Sequence, residues 1–116
     1  MKLNAWNYAK DLAVEIYKLT MDGELSRGFG LRDQLRRAAV SIASNIAECS
    51  EKNSNRDFAR FLYIAKGSIA ELVTQLTIAH EIGYLCKEEY VQLNDKCMII
   101  SKMIAGLIKS KLSNNS

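Results

Sequence analysis

The fold class of this chain is decided by residues 31–61, which read LRDQLRRAAVSIASNIAECSEKNSNRDFARF. Up to residue 49, apolar side chains recur at spacings of three and four, the period of a helix with one buried face. These side chains are Leu31, Leu35, Ala38, Ile42 and Ile46. The polar segment SEKNSNRD interrupts the pattern, and Ser54 with Asp57 three residues later resembles a capping box that starts another helix. The stretch therefore predicts two helices joined by a short turn.

Helical periodicity continues on both sides of this hairpin. It predicts helices over residues 4–20, 31–49, 55–82 and 87–112. The segment MDGELSRGFG, residues 21–30, contains three glycines and separates the first two helices, and Gly83 stands where a helix commonly ends. Since the 116 residues include no proline, long helices with short connections are favoured. We expect residues 1–116 to form one all-α domain, an up-down antiparallel four-helix bundle.

The composition is typical of a globular protein in a reducing compartment. Hydrophobic residues make up 48% and charged residues 25% of the chain, which excludes a disordered protein. No apolar run is long enough for a membrane span, and no signal peptide is recognisable, so we expect a cytoplasmic location. Cys49, Cys86 and Cys97 lack the spacing of a disulfide framework or a zinc site and are interpreted as reduced thiols.

Residue patterns that support catalysis are scarce. A di-iron bundle requires two Glu-x-x-His pairs, but the chain has a single histidine, His80, with Thr77 three residues before it. The same histidine is the sole candidate base for Cys86, which lies beyond a predicted helix end. The glycine-rich segment lacks the Lys-Ser/Thr of a P-loop. We therefore expect no enzymatic activity, no metal and no cofactor.

Basic residues are unevenly distributed along the sequence. The net charge is +3; residues 31–60 hold six basic and four acidic residues, residues 61–95 two and five, and residues 96–116 four and none. Grouped arginines and lysines can bind phosphates, and we expect them to line one end of the second-to-third helix hairpin and parts of its flanks. The candidate nucleic-acid contacts are Arg27, Arg32, Arg36, Lys52, Arg56 and Arg60. The alternative is a solvated face in which these cations pair with neighbouring acidic residues. Four aromatic residues are either stacking partners for bases or core and interface residues: Trp6, Tyr8, Tyr17 and Tyr63.

Small and polar residues occupy matching faces of the second and third predicted helices. Such faces allow two helices to approach closely and to satisfy each other's hydrogen bonds, inside one bundle or across subunits. The predicted seam comprises Gln34, Arg37, Ser41, Asn45, Glu48, Gly67, Ser68, Glu71 and Gln75. Because adjacent residues are about 100° apart on a helix, Arg36 and Arg37 are assigned to different surfaces.

Residues 29–85 contain an ordered series of motifs: Gly-Leu, Gln-Leu-x-Arg-Ala, Ser-Ile-x-Ser-Asn-Ile-Ala-Glu, Phe-x-Arg-Phe-Leu, Gly-Ser-x-x-Glu and Gln-Leu. Through this series the chain resembles the four-helix-bundle family of 23S rRNA intervening-sequence proteins. The motifs fall on residues 30–31, 34–38, 41–48, 58–62, 67–71 and 75–76. One departure is Cys49, where the family pattern has glycine after Ala-Glu, so we expect a longer or differently capped helix end there.

The resemblance implies a bundle that assembles as a homopentamer. It places the chain in the structural class of the accessory proteins of diversity-generating retroelements, which form a basic barrel that binds nucleic acid and a reverse transcriptase. Genes of the family often lie inside intervening sequences of large-subunit rRNA genes, which suggests RNA association. Our leading interpretation is a non-enzymatic, oligomeric protein that binds structured RNA or another nucleic acid through Arg and Lys. The alternatives are a protein-interaction scaffold, in which the arginine pair Arg36 and Arg37 forms intersubunit salt bridges with Glu48 or Glu71, and an enzyme of unknown type.

Overall fold

All regular structure in the described part of the chain is helical. The computed structural model describes residues 2–113, with side chains from residue 4 onward, and this range contains no strand. The helices are α1 (Lys2–Leu19), α2 (Gly23–Arg27), α3 (Phe29–Cys49), α4 (Asn55–Glu81) and α5 (Lys87–Ser113). The prediction of an all-α fold is therefore confirmed.

The four long helices form a bundle. α1 packs against α3 and α5, and α4 packs against the same two helices, so each long helix has two neighbours. The bundle measures 50 × 21 × 18 Å. Leu35, Ile42 and Ile46, which the helical period placed on one face of α3, are fully buried together with Leu72 and Ile104. The apolar stripe read from the sequence is thus the face of α3 that enters the core.

A short helix, α2, lies in the segment that was predicted only as a break. Gly23 begins it with a φ of +68°, a left-handed conformation that glycine adopts without strain. Leu25 is buried and anchors the segment to the core. Because α2 has only five residues, it is too short to display a helical period. Gly28 leads directly into α3, which begins at Phe29 rather than at residue 31.

The two ends of α4 follow rules that are visible in the sequence. The Ser54 hydroxyl accepts a hydrogen bond of 3.1 Å from the backbone N–H of Asp57, which is the predicted helix cap. At the other end, Gly83 has a φ of +86°, and the Tyr84 N–H donates to the Ala79 carbonyl at 2.8 Å. This pattern is a Schellman motif, which satisfies carbonyls that the ending helix leaves open.

The end of α3 differs from a glycine-capped helix. α3 ends at Cys49, and Ser50 follows in the right-handed helical region, with φ of −68° and ψ of −18°. The N–H groups of Ser50 and Glu51 donate three residues back, to the carbonyls of Ala47 and Glu48. α3 therefore ends at the predicted residue but is capped differently. Hydrogen bonds to carbonyls three residues back take the place of the left-handed residue that a glycine would supply.

Candidate nucleic-acid interface

Three of the six predicted cationic contacts, Arg27, Arg32 and Arg36, lie where α1 ends and α3 begins. The Arg36 Nε donates to the hydroxyl of buried Thr20 at 2.8 Å, and its guanidinium lies 4.6 Å from the Tyr17 ring centroid. Arg27 forms an ion pair of 3.1 Å with a neighbouring carboxylate, that of Glu24. These contacts tie the guanidinium groups to the chain itself.

Arg32 is held in the same region by three contacts within the chain. Its Nε donates to the Asp33 carboxylate at 3.0 Å, and its Nη1 donates to the Ser26 carbonyl at 3.3 Å. Its guanidinium also lies 4.6 Å from the centroid of the Phe29 ring. Arg32 therefore joins the loop between α1 and α3 to the first turn of α3.

The other three candidates, Lys52, Arg56 and Arg60, lie where α3 ends and α4 begins. Lys52 and Arg60 flank one aromatic ring, with their charged groups 4.7 and 4.6 Å from the Phe61 centroid. Lys52 also pairs with Glu48 at 3.2 Å, and the Arg60 Nε lies 3.7 Å from the Asp57 carboxylate. Arg56 is exposed, and no carboxylate in the described part of the chain lies within ion-pairing distance of it.

The prediction that the six cations line one end of the helix hairpin and parts of its flanks is wrong about the single end, because three of them lie at each end of α3. α3 separates Arg32 from Lys52 by twenty residues, which corresponds to about 30 Å along the helix axis. The two groups therefore lie at opposite ends of the bundle. The six residues are close in sequence, which suggested one cluster, but the helix between the two groups keeps them far apart in space.

α5 brings further lysines to the second group. The Lys111 Nζ lies 4.5 Å from the ring centroid of Phe58 in the first turn of α4. Lys109 and Lys66 line a groove between the same two helices. The sequence contained a signal for these residues, since residues 96–116 hold four lysines and no acidic residue. The position of Lys109 and Lys111 at the end of the bundle where α4 begins depends on the packing register of α5 against α4.

The charges of the chain are consequently segregated along the bundle. We define the basic half as residues 42–67 and 102–113, which hold seven basic and three acidic residues. The opposite half, residues 12–40 and 69–100, holds seven basic and nine acidic residues. A polyanion therefore meets a favourable field at one half of the molecule only.

The predicted seam is a hydrogen-bonded contact at its centre. The hydroxyl oxygens of Ser41 and Ser68 share a hydrogen bond of 2.8 Å, and the Asn45 Nδ2 donates to the Ser41 carbonyl at 2.9 Å. Four of the nine residues, Gln34, Arg37, Gly67 and Glu71, are exposed beside this contact. Glu48 is also exposed and pairs with Lys52 of the same chain. The Gln75 Oε1 is buried and has no hydrogen-bond partner in the described part of the chain.

The four predicted aromatic residues are distributed over three grooves. Trp6 and Tyr17 line an apolar groove of about 540 Å³ between α1 and α3, whose wall also includes exposed Val14, Met21 and Val40. Tyr8 lines a groove between α1 and α5, and Tyr63 lines the groove between α4 and α5 that contains Lys66 and Lys109. The three tyrosines are therefore exposed, whereas Trp6 is half-buried and packs against the core.

The residues considered for catalysis are dispersed. The His80 ring stacks on Tyr90 at 4.8 Å, and its Nδ1 donates to the Leu85 carbonyl at 3.0 Å, so the imidazole closes the α4–α5 turn. Cys86 is exposed, whereas burial raises the pKa of the Cys97 thiol to about 12. Among the described residues, no group of three or more His, Cys, Asp or Glu side chains could hold a metal ion.

No helix in the described range is both long and apolar enough to cross a bilayer.

The fold places the chain among small four-helix-bundle proteins. The family model of the 23S rRNA-intervening sequence protein matches residues 1–106, and the chain belongs to this family. The chain is also similar to a crystal structure of a protein with unknown function from the S23 ribosomal protein family of Bacteroides thetaiotaomicron. The two share 27% sequence identity and a TM-score of 0.83, over 90% of this chain and 98% of that chain. No match was found among curated proteins.

Proposed function

We propose that this protein is a non-enzymatic, oligomeric helical bundle that binds RNA through its basic half. The observation that carries the proposal is the gathering of cations where α4 begins and α5 ends. This set consists of Lys52, Arg56, Arg60, Lys109 and Lys111. Its charges come from three segments of the chain. The basic half contains three acidic residues, whereas the opposite half contains nine.

The state of these cations supports phosphate binding. Arg56, Lys109 and Lys111 have no carboxylate within ion-pairing distance in residues 4–113, so their charges are available to a ligand. Lys52 and Arg60 lie against the Phe61 ring and also pair with neighbouring carboxylates, so they contribute less to phosphate binding than the three unpaired cations. Cations that replace the counterions of a phosphate backbone yield binding that weakens steeply with salt.

Arg27, Arg32 and Arg36 have a different role in this proposal. Their guanidinium groups are occupied by contacts within the chain, and the acidic residues Glu24 and Asp33 accompany two of them. Releasing these contacts would offset the gain from a phosphate. We therefore assign these arginines to the junction of α1, α2 and α3 and assign the RNA contacts to the basic half.

The oligomer in the proposal is a homopentamer, as the family resemblance implies, and its proposed location is the cytoplasm. The apolar groove between α1 and α3 supports association, since a surface that includes Val14, Met21 and Val40 gains free energy when it is covered. A net charge of +3 per chain becomes about +15 in a pentamer, which strengthens attraction to a polyanion.

A filter-binding titration with rRNA fragments and unrelated RNA tests the RNA part of the proposal. Binding should be measurable at about 50 mM salt and should weaken steeply as salt rises. The double variant Arg56→Gln, Lys111→Gln should reduce the slope of log affinity against log salt by about 1 to 2. The matched control is Lys87→Gln, Lys96→Gln, which removes two exposed lysines from the opposite half. Absence of binding, absence of salt dependence, or an equal effect of the control would refute the proposal.

A second candidate function, a protein-interaction scaffold, is favoured by Arg37. This side chain is exposed on the seam, and neither Glu48 nor Glu71 of the same chain pairs with it. In this second function, Arg37 pairs with a carboxylate of another subunit. Light scattering separates the two functions: Arg37→Ala lowers the oligomer mass of a scaffold held by this pair, whereas RNA binding through the basic half leaves the mass unchanged.

A further inference from the structure

The groove between α4 and α5 in the basic half combines an aromatic ring with two cations. It encloses about 570 Å³, which is within the size range of small-ligand sites, roughly 300–1,000 Å³. Ile108 is buried beneath it, and Tyr63 and Leu112 are 56% and 43% exposed at its walls. Lys66 and Lys109 complete the lining.

The charge of this groove is of one sign. No acidic residue lines it, and neither Lys66 nor Lys109 pairs with a carboxylate in the described part of the chain. Residues 102–113 of α5 contain no acidic residue at all. The groove therefore favours a ligand that carries negative charge beside a flat apolar group.

We propose that this groove binds an unpaired nucleotide of an RNA strand, with the base stacked on Tyr63 and the flanking phosphates at Lys66 and Lys109. The inference rests on the proposed RNA function and specifies which part of the RNA the protein contacts. A base in a duplex is stacked on both faces and cannot reach an aromatic side chain, whereas a loop, a bulge or a single strand exposes its bases. The preferred ligand is therefore unpaired RNA.

The geometry of the groove suits this occupant. The Tyr63 side chain is 56% exposed, so a base can reach it, and Ala105, Ile108 and Leu112 give the groove apolar walls beside the ring. The two lysines belong to different helices, so a strand that follows the groove passes both of them. Arg56 and Lys111 lie at the same end of the bundle, where α4 begins and α5 ends.

Fluorescence anisotropy with a labelled oligouridine of about 12 nucleotides, at about 50 mM salt, tests this site. The single strand should bind more tightly than a blunt RNA duplex of the same length. Tyr63→Ala should weaken strand binding by roughly 10-fold, and Tyr63→Phe, which keeps the ring, should recover most of that loss. The double variant Lys66→Gln, Lys109→Gln should lower the salt slope by about 1 to 1.5. The control is Tyr8→Ala, which removes a similarly exposed tyrosine from another groove and should leave binding unchanged.

Crosslinking provides a readout on the unmodified protein. A strand that contains 5-iodouridine reacts on irradiation with an aromatic ring stacked on the base, so mass spectrometry should find the adduct on Tyr63. An adduct elsewhere, or equal binding of the duplex, overturns the site even when the Tyr63→Ala variant fails to fold. Uridine monophosphate that binds as tightly as the strand would identify a free-nucleotide pocket and would also overturn it.

The two proposals fail in distinguishable ways. If RNA binds with salt dependence but the Tyr63 and lysine variants bind as the wild type does, the proposal of RNA binding by the basic half is supported and the groove assignment is wrong. If neither strand nor duplex binds at low salt, both proposals are wrong.

Discussion

Ser41 of α3 and Ser68 of α4 share a hydrogen bond of 2.8 Å between their side-chain hydroxyl oxygens. Ser68 is 5% exposed, so the contact lies inside the bundle between the second and third of its long helices. Two hydroxyl-bearing residues can occupy this position because their small volume allows the helices to approach. The seam read from the sequence is therefore a contact within one chain at this point.

Enlarging Ser68 should destabilise the protein. Ser68→Leu forces a larger side chain between α3 and α4 and leaves Ser41 without its partner, so we expect the free energy of unfolding to fall by about 1–3 kcal/mol. Urea denaturation followed by circular dichroism measures the change. Ala70→Leu, at an exposed position of α4, is the control and should have a much smaller effect. Equal losses for both variants would contradict a specific packing role for Ser68.

Arg36 and Arg37 should respond differently to removal of their side chains. Arg36→Ala breaks the hydrogen bond to buried Thr20 and the contact with Tyr17, so we expect a loss of about 1–2 kcal/mol in unfolding free energy. Arg37→Ala removes an exposed side chain and should change stability by less than about 0.5 kcal/mol. Thermal unfolding of the two variants provides the comparison. A more severe effect of Arg37→Ala would indicate that Arg37 has a structural partner beyond this chain.

Gly67→Ala should stabilise the isolated chain. Gly67 is exposed in the interior of α4, and a Cβ added there has nothing within 4 Å. Because glycine costs more backbone entropy than alanine in a helix, the substitution should add about 0.5–1 kcal/mol to the free energy of unfolding. Gly106→Ala, in an equally open position on α5, is the matched control.

The same Gly67 variant reports on assembly when its mass is measured by light scattering. If the seam is confined to one chain, both glycine variants keep the oligomer mass of the wild type. A loss of mass with Gly67→Ala alone would show that another subunit approaches α4 at this glycine.

The cysteines should differ in reactivity and in their effect on pH dependence. Cys86 is exposed and should react quickly with a disulfide reagent at about pH 8, whereas buried Cys97 should react only after unfolding. Since burial raises the folded-state pKa of Cys97 from 9.0 to about 12, the unfolded chain loses this proton first as pH rises. Stability should therefore fall from about pH 9 upward and should be insensitive to this thiol below that pH. Cys97→Ala should remove this part of the alkaline loss, and an unchanged pH profile would contradict the assignment.

Much of the fold follows from local rules. The bounds read for the third long helix, residues 55–82, differ from those of α4 by one residue, because Ser54 and Gly83 supply the caps at its two ends. The same local rules did not predict α2, because five residues are too few to show a helical period and because its position depends on Leu25 reaching the core. Helix positions were thus predictable wherever the signal spans several turns.

The candidate site was only partly predictable. Lys52, Arg56 and Arg60 are neighbours in sequence and in the fold, so the local pattern identified them together. Arg32 and Arg36 were grouped with them in the sequence, but the length of α3 places them at the far end of the bundle.

The amino-acid sequence by itself determined that this protein is an all-α bundle with lysines concentrated near its C-terminus, because helical period, caps and charge are local properties of the chain. Only the tertiary structure decided that Lys111 lies beside Phe58, and that Tyr63, Lys66 and Lys109 share one groove. These residues come together through the register of α5 against α4. That register is set by packing of side chains more than forty residues apart, which no local pattern encodes.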